Sequence, residues 1–148
     1  MNNRYQRQTL LTEIGEEGQF KLQKAHVLIV GVGGLGCPVA LYLAGAGVGH
    51  IGLADDDVVS IHNLHRQVLY DESDIGLPKA ECAVRHLHAR NSDIEVKAYP
   101  VRLTSDNAEQ LIAEYDILVD GCDNHATRYP TSDICHRLKK PYVYAAIG

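Results

Sequence analysis

The residues best suited to chemistry crowd one stretch of the chain. Gly31-Val32-Gly33-Gly34-Leu35-Gly36 has the G-x-G-x-x-G spacing, directly after the apolar run Val27-Leu28-Ile29-Val30. Where a strand turns into a helix, glycines let backbone amides close on an anion because no Cβ stands in the way. Gly31, Gly33, Gly34 and Gly36 are therefore candidate nucleotide-binding residues. Asp55 follows the second apolar run, Ile51-Gly52-Leu53-Ala54, where a carboxylate can accept hydrogen bonds from ribose hydroxyls. Of its neighbours, Asp57 is placed with the nucleotide contacts, and Asp56 reads as a solvated strand end.

Those features alone suit a dinucleotide-dependent oxidoreductase. The next loop, Asn63-Leu64-His65-Arg66-Gln67, points elsewhere. Arg66 offers a planar fork for phosphate oxygens, Asn63 can bridge a phosphate or orient that arginine, and Gln67 adds a further polar group. Lys79 falls in the first turn of an expected helix, where the helix field disfavours a cation, so an anion nearby would explain it. Asp123 and Asn124 follow the fourth expected strand. An aspartate there can hold Mg2+ while the ion keeps waters and phosphate oxygens, and Asn124 serves as a helix N-cap, a ligand or both. The histidines form no convincing metal set: His62 and His65 share a loop, and His86 and His88 point to different sides of a helix. Cys122 reads as a structural continuation of a buried strand.

The elements that must position these groups are legible as alternating strand and helix signals from His26 onward, the pattern of a mainly parallel, doubly wound α/β sheet of Rossmann-like type. Right-handed crossovers order its strands 3-2-1-4-5. Leu35 to Ala46 is an apolar, buried helix; Pro78 occupies a first helical position; Asp106 with Glu109 suggests a capping box for a helix through Tyr115. Pro130 is expected to kink or restart the next helix, and Tyr142 to Ile147 forms an apolar last strand. Residues 1–24 form a helical segment over the sheet.

The 148 residues fit one domain, with 45% hydrophobic and 22% charged residues as in globular proteins. A net charge of -5 argues against sequence-independent nucleic-acid binding, and no apolar run is long enough for a membrane span. Cys37, Cys82, Cys122 and Cys135 contain no C-x-x-C pair, and free thiols suggest a cytoplasmic setting.

Taken together, Arg4-Tyr5-Gln6-Arg7-Gln8, Gly31 to Gly36, Leu53-Ala54-Asp55-Asp56-Asp57, Asn63 to Gln67, Pro78-Lys79, Asp123-Asn124 and Ala126-Thr127-Arg128 closely resemble the ThiF/MoeB/HesA family, adenylyltransferases related to ubiquitin-activating enzymes, and most of all its thiamine-biosynthesis branch. The resemblance implies ATP-dependent adenylation of the C-terminal glycine of a ubiquitin-like sulfur carrier protein. Molybdopterin-synthase carrier activation is the alternative, and an NAD-dependent oxidoreductase or a non-catalytic nucleotide module are rivals from other classes. By the family pattern Gly34 and Asp55 hold the nucleotide, Asn63, Arg66 and Lys79 hold phosphates, and Asp123 holds Mg2+. Arg7 reaches the neighbouring subunit's site, which implies a homodimer. Family members are longer, with a reactive cysteine and zinc ligands beyond the region matched here. The chain is thus expected to be the N-terminal part of a longer protein.

Overall fold

The computed structural model describes residues 3–122 and 125–146, the side chains of His125 and Ala126 excepted. Five strands form one parallel sheet: β1 (His26–Val30), β2 (His50–Ala54), β3 (Glu95–Tyr99), β4 (Ile117–Asp120) and β5 (Tyr142–Tyr144). Their order is β3-β2-β1-β4-β5, as right-handed crossovers require. β1 lies at the centre, in register with β2 (Val27 opposite Ile51) and with β4 (Val27 opposite Ile117). Its near-continuous apolar sequence follows from covering on both faces: Val27 to Val30 are all buried.

Helices α1 (Gln6–Thr9), α2 (Gly15–Lys24), α3 (Gly36–Ala46), α4 (Lys79–Arg90), α5 (Ala108–Ile112) and α6 (His125–Leu138) complete the chain, with short 3-10 turns at Asn3–Tyr5, Ile61–Asn63 and Glu72–Asp74. Successive residues of β1 serve two cores. Val27 and Ile29 join Cys37, Ala40, Ala44, Cys82, Ala83 and Leu87 from α3 and α4, whereas Leu28 and Val30 join Ala108, Ile112, Ile134 and Cys135 from α5 and α6. Among the described residues no helix is long and apolar enough to cross a membrane.

Four local expectations need correction. The capping box at Asp106 does not form. Helix α5 starts two residues later with Asn107 at its N-cap, because the Asn107 carboxamide accepts from the Thr104 amide (2.9 Å) and the Thr104 hydroxyl from the Asp106 amide (3.3 Å), closing a polar turn instead. Pro130 lies inside an uninterrupted α6, where the Thr131 hydroxyl donates to the Thr127 and Arg128 carbonyls, each at 2.9 Å. Pro78 is the N-cap residue of α4, in extended conformation, rather than its first helical residue. The last strand is also shorter than expected, ending at Tyr144 with Val143 and Tyr144 exposed; Ile147 lies outside the described residues.

The long connection from β2 to α4 is closed on itself. Val58 pairs with Pro78 in an antiparallel bridge, the Val59 amide donates to the Leu77 carbonyl (2.9 Å), and the Gly76 amide donates to the Val59 carbonyl (2.8 Å). Asp74 pins the excursion to α4. Fully buried, its carboxylate accepts from Arg85, from His86 (2.7 Å) and from the Asp71 amide (3.0 Å). Burial works against ionisation, but the Asp71 amide, His86 and Arg85 outweigh it and hold the carboxyl below its usual range. A depressed folded-state value gives stability that is present above the unfolded value, about 3.9, and lost as pH falls through the folded one. Asp74→Asn is expected to lower stability at pH 7 by roughly 3 kcal/mol. In thermal melts the gap between variant and parent should close toward pH 3. A gap that does not depend on pH would refute the charge argument.

Candidate nucleotide-binding crevice

A crevice of about 980 Å³ opens along the carboxyl ends of β1, β2, β4 and β5, at the upper end of the range for small-molecule sites. Gly31, Gly33, Gly34, Asp55, Asp56, Asp57, Asn63, Arg66, Gln67 and Lys79 all line it. The structure therefore brings the glycine turn, the acidic run, the polar loop and the lysine to one place.

The glycines divide by role. Gly31 has φ +86°, and a Cβ there would lie 2.8 Å from the Cys122 amide nitrogen; at Gly36 it would stand 1.8 Å from the Gly31 carbonyl oxygen. These two allow the turn itself to close. At Gly33 the nearest atom to a Cβ would be Gln67 Nε2 at 3.4 Å, and at Gly34 it would be the Arg66 side chain at 3.6 Å, ordinary contact distances beside the polar loop.

Two members of the acidic run hold backbone amides. Asp55 Oδ2 accepts from the Val32 amide and Oδ1 from the Asp57 amide, both at 2.8 Å, so this carboxylate ties the glycine turn to the strand end and meets a ribose only through its remaining lone pairs. Asp57 Oδ1 accepts from the Val58 amide (2.8 Å) and Oδ2 from Lys79 Nζ (3.1 Å). Partial burial opposes its ionisation, but the Val58 amide and Lys79 hold its carboxyl below the usual range. Lys79 is 5% exposed overall, so it is part of the crevice wall rather than a solvated surface lysine.

In the polar loop, Asn63 Oδ1 accepts from the Ser60 amide (3.0 Å), closing a capping box with Ser60 around Ile61–Asn63. Arg66 is exposed and donates to the His62 carbonyl (3.2 Å). Gln67 is buried against Gly33, with its Oε1 unpartnered among the described residues.

Sequence reasoning missed several lining groups. Val101, Arg102 and Leu103 form a wall beyond β3, and Arg102 pairs with Asp56 (3.6 Å), so Asp56 is not simply a solvated strand end. The rule that ligands sit at strand carboxyl ends, applied to the third strand as well, would have found them. Asp120, the last residue of β4, is fully buried, accepting from the Cys122 amide (3.0 Å) and the Tyr142 hydroxyl, with Arg128 Nε 3.9 Å away. Arg128 itself lines the crevice and lies under the Tyr144 ring, 4.9 Å from its centroid. Cys122 does not continue the strand; it sits in the turn beyond β4 and lines the crevice. Asp123 and Asn124 lie outside the described residues. Arg7, exposed on α1, is not among the residues lining the crevice of its own chain.

A parallel sheet in this order, with a glycine turn, an arginine and a buried lysine lining a crevice at its carboxyl edge, defines a Rossmann-like α/β domain. The chain belongs to the ThiF family, whose profile matches residues 5–148. It is 57% identical over 140 residues to "Adenylyltransferase and sulfurtransferase MOCS3" of Culex quinquefasciatus, covering 95% of this chain and 32% of that protein. It is 50% identical over 145 residues to "Sulfur carrier protein adenylyltransferase" of Thermus thermophilus, covering 98% of this chain and 54% of that one. The chain thus spans from about a third to just over half of these relatives' length. Among solved structures, E. coli tRNA N6-threonylcarbamoyladenosine dehydratase, TcdA, in complex with AMP superposes with a TM-score of 0.90 at 30% identity, covering 95% of this chain and 57% of that one. E. coli MccB with AMPCPP and MccA gives 0.83 at 35% identity, covering 98% and 44%.

Proposed function

We propose that the protein containing this chain adenylates the C-terminal glycine carboxylate of a ubiquitin-like sulfur carrier protein with ATP, releasing pyrophosphate. The observation that carries the reading is the convergence of Gly33, Gly34, Asn63, Arg66 and Lys79 on one crevice, a set of donors that suits a polyphosphate. The names of the Thermus and Culex relatives and the AMP and AMPCPP complexes of TcdA and MccB support it.

In the step itself a carboxylate oxygen of the carrier attacks the α-phosphorus of ATP. An acyl-oxygen to phosphorus bond forms, the bond to the pyrophosphate oxygen breaks, and acyl-adenylate and pyrophosphate result. The nucleophile is ionised at neutral pH, so the site needs no general base; it must align two anions and offset their repulsion. Glycine-turn amides, Arg66 and Lys79 supply that positive field, and Asp55 is placed for the ribose. Among the described residues the carboxylates lining the crevice, Asp55, Asp56 and Asp57, already have partners, and no histidine lines it, so a hard cation such as Mg2+ would rely on another carboxylate and on phosphate oxygens. Asp123 would hold the ion, which when bound screens phosphate charge. Arg7 would complete the crevice of a second subunit in a homodimer, in the cytoplasm.

The thiamine carrier is our first substrate on the resemblance of the Leu53–Asp57 run and Ala126-Thr127-Arg128. Activation of a molybdopterin-synthase carrier is the second reading; the 57% identity is to a protein named as an adenylyltransferase and sulfurtransferase, which supports the activity and not the choice of carrier. The full-length protein is expected to exchange labelled pyrophosphate into ATP only when a carrier ending in Gly-Gly is added, and Asp123→Ala to abolish the exchange. Exchange that survives this substitution would remove Asp123 from the metal role; NAD binding in preference to ATP would overturn the whole reading.

A further inference from the structure

Among the described residues Lys79 is the one buried basic side chain. Two penalties act on it: an ammonium taken out of water loses solvation, and the first turn of α4 presents the positive end of a helix dipole. A single residue acts against both. Asp57 accepts from Lys79 Nζ through Oδ2 (3.1 Å) and from the Lys79 amide through its carbonyl oxygen (3.0 Å), so the two ends of the lysine are fastened to the same neighbour.

Asp57 is itself held. Its amide donates to Asp55 Oδ1, its own Oδ1 accepts from the Val58 amide, and Asp55 Oδ2 accepts from the Val32 amide inside the glycine turn. One short chain of hydrogen bonds therefore runs from the turn, through Asp55 and Asp57, to the lysine ammonium. The Asp57 side chain is 64% exposed, so its place is not explained by apolar packing. Nor does it suit direct contact with phosphates, since both of its oxygens already have partners and a second anion would repel them.

From this geometry we infer that Asp57 is a positioning residue: it acts on the nucleotide through Lys79, holding the ammonium in the crevice wall before ATP arrives. The inference rests on the reading of Lys79 as a phosphate ligand. An ammonium has three donors. With one on Asp57, two remain for phosphate oxygens, so the lysine need not leave its anchor to bind. What Asp57 supplies is a charge-compensated, immobile cation, at the entropy of one restrained side chain already lost on folding. Asp55, one link back, makes the same chain sensitive to the glycine turn, so turn and lysine are set as a unit.

The test is a double-mutant cycle in the full-length protein, read by the Kd for ATP in calorimetry and by carrier-dependent pyrophosphate exchange. Asp57→Asn keeps the shape and an acceptor for the Val58 amide and removes the charge. It is expected to weaken ATP binding and kcat/KM for ATP by about tenfold in the parent, and less than about twofold in a Lys79→Met background. Asp57→Glu is expected to recover most of the loss, which a purely steric role would not allow. An equal loss in both backgrounds, or no loss in the parent, would overturn the proposal. A parent that binds ATP without exchange would sink the adenylation reading, while the Kd cycle would still decide the role of Asp57.

Discussion

Gly36→Ala is expected to remove nucleotide binding and most of the stability of the domain. A methyl group at Gly36 would stand 1.8 Å from the Gly31 carbonyl oxygen, and a backbone atom cannot swing aside as a flexible side chain does. Gly31 offers no relief, because its left-handed backbone (φ +86°) is packed against Cys122. The strand-to-helix turn must therefore open, which separates β1 from α3 and takes Val32 away from Asp55. We expect a cost of about 4 kcal/mol or more, a large part of the stability of an ordinary domain. Gly34→Ala is the control, since its Cβ would meet only the Arg66 side chain at 3.6 Å. It should melt close to the parent and weaken ATP binding alone. A Gly36→Ala protein that melts with the parent would show the turn to be built differently.

Lys79→Met is expected to do the reverse: lower kcat/KM for ATP by about 10²- to 10³-fold with little change in Tm. The side chain is 6% exposed, but its partner Asp57 is 64% exposed, so solvent screens the pair and it contributes little to folding. Against that small gain stand the desolvation of the ammonium and its unfavourable place in the first helical turn. A methionine fills the same volume without either cost. Kinetics like the parent's with a Tm lower by several degrees would make Lys79 a structural residue and remove the phosphate role.

The sheet was readable because its signals are repetitive. Val27 to Val30 and Ile117 to Val119 are short runs apolar on consecutive positions and rich in β-branched residues, as in strands covered on both faces, and helix signals between them fix the crossovers. The glycine turn, the polar loop and Lys79 were readable as types at a spacing. What the spacing could not reveal was the division of labour inside the crevice. Asp55, Asp56 and Asp57 are identical side chains in a row, yet one ties down the Val32 amide, one pairs with Arg102 and one with Lys79, because each leaves the end of β2 in a different direction. The same limit explains the missed Asn107 turn. Thr104, Asp106 and Asn107 all bear short polar groups within reach of the same amides, and geometry alone settles which one accepts.

The central place of β1 has a consequence for how the protein is made. Its pairing with β2 joins near neighbours, His26 to His50, but its other edge is filled only by β4, with Val27 opposite Ile117. In order of synthesis the glycine turn, the acidic run and Lys79 therefore precede the opposite wall, Gly121, Cys122 and Arg128. An apolar strand with one edge unpaired presents a ladder of amides and carbonyls that another strand can join. The half of the crevice built before β4 is thus complete in sequence before the central strand has both its neighbours, an order of completion set by strand order rather than by final stability.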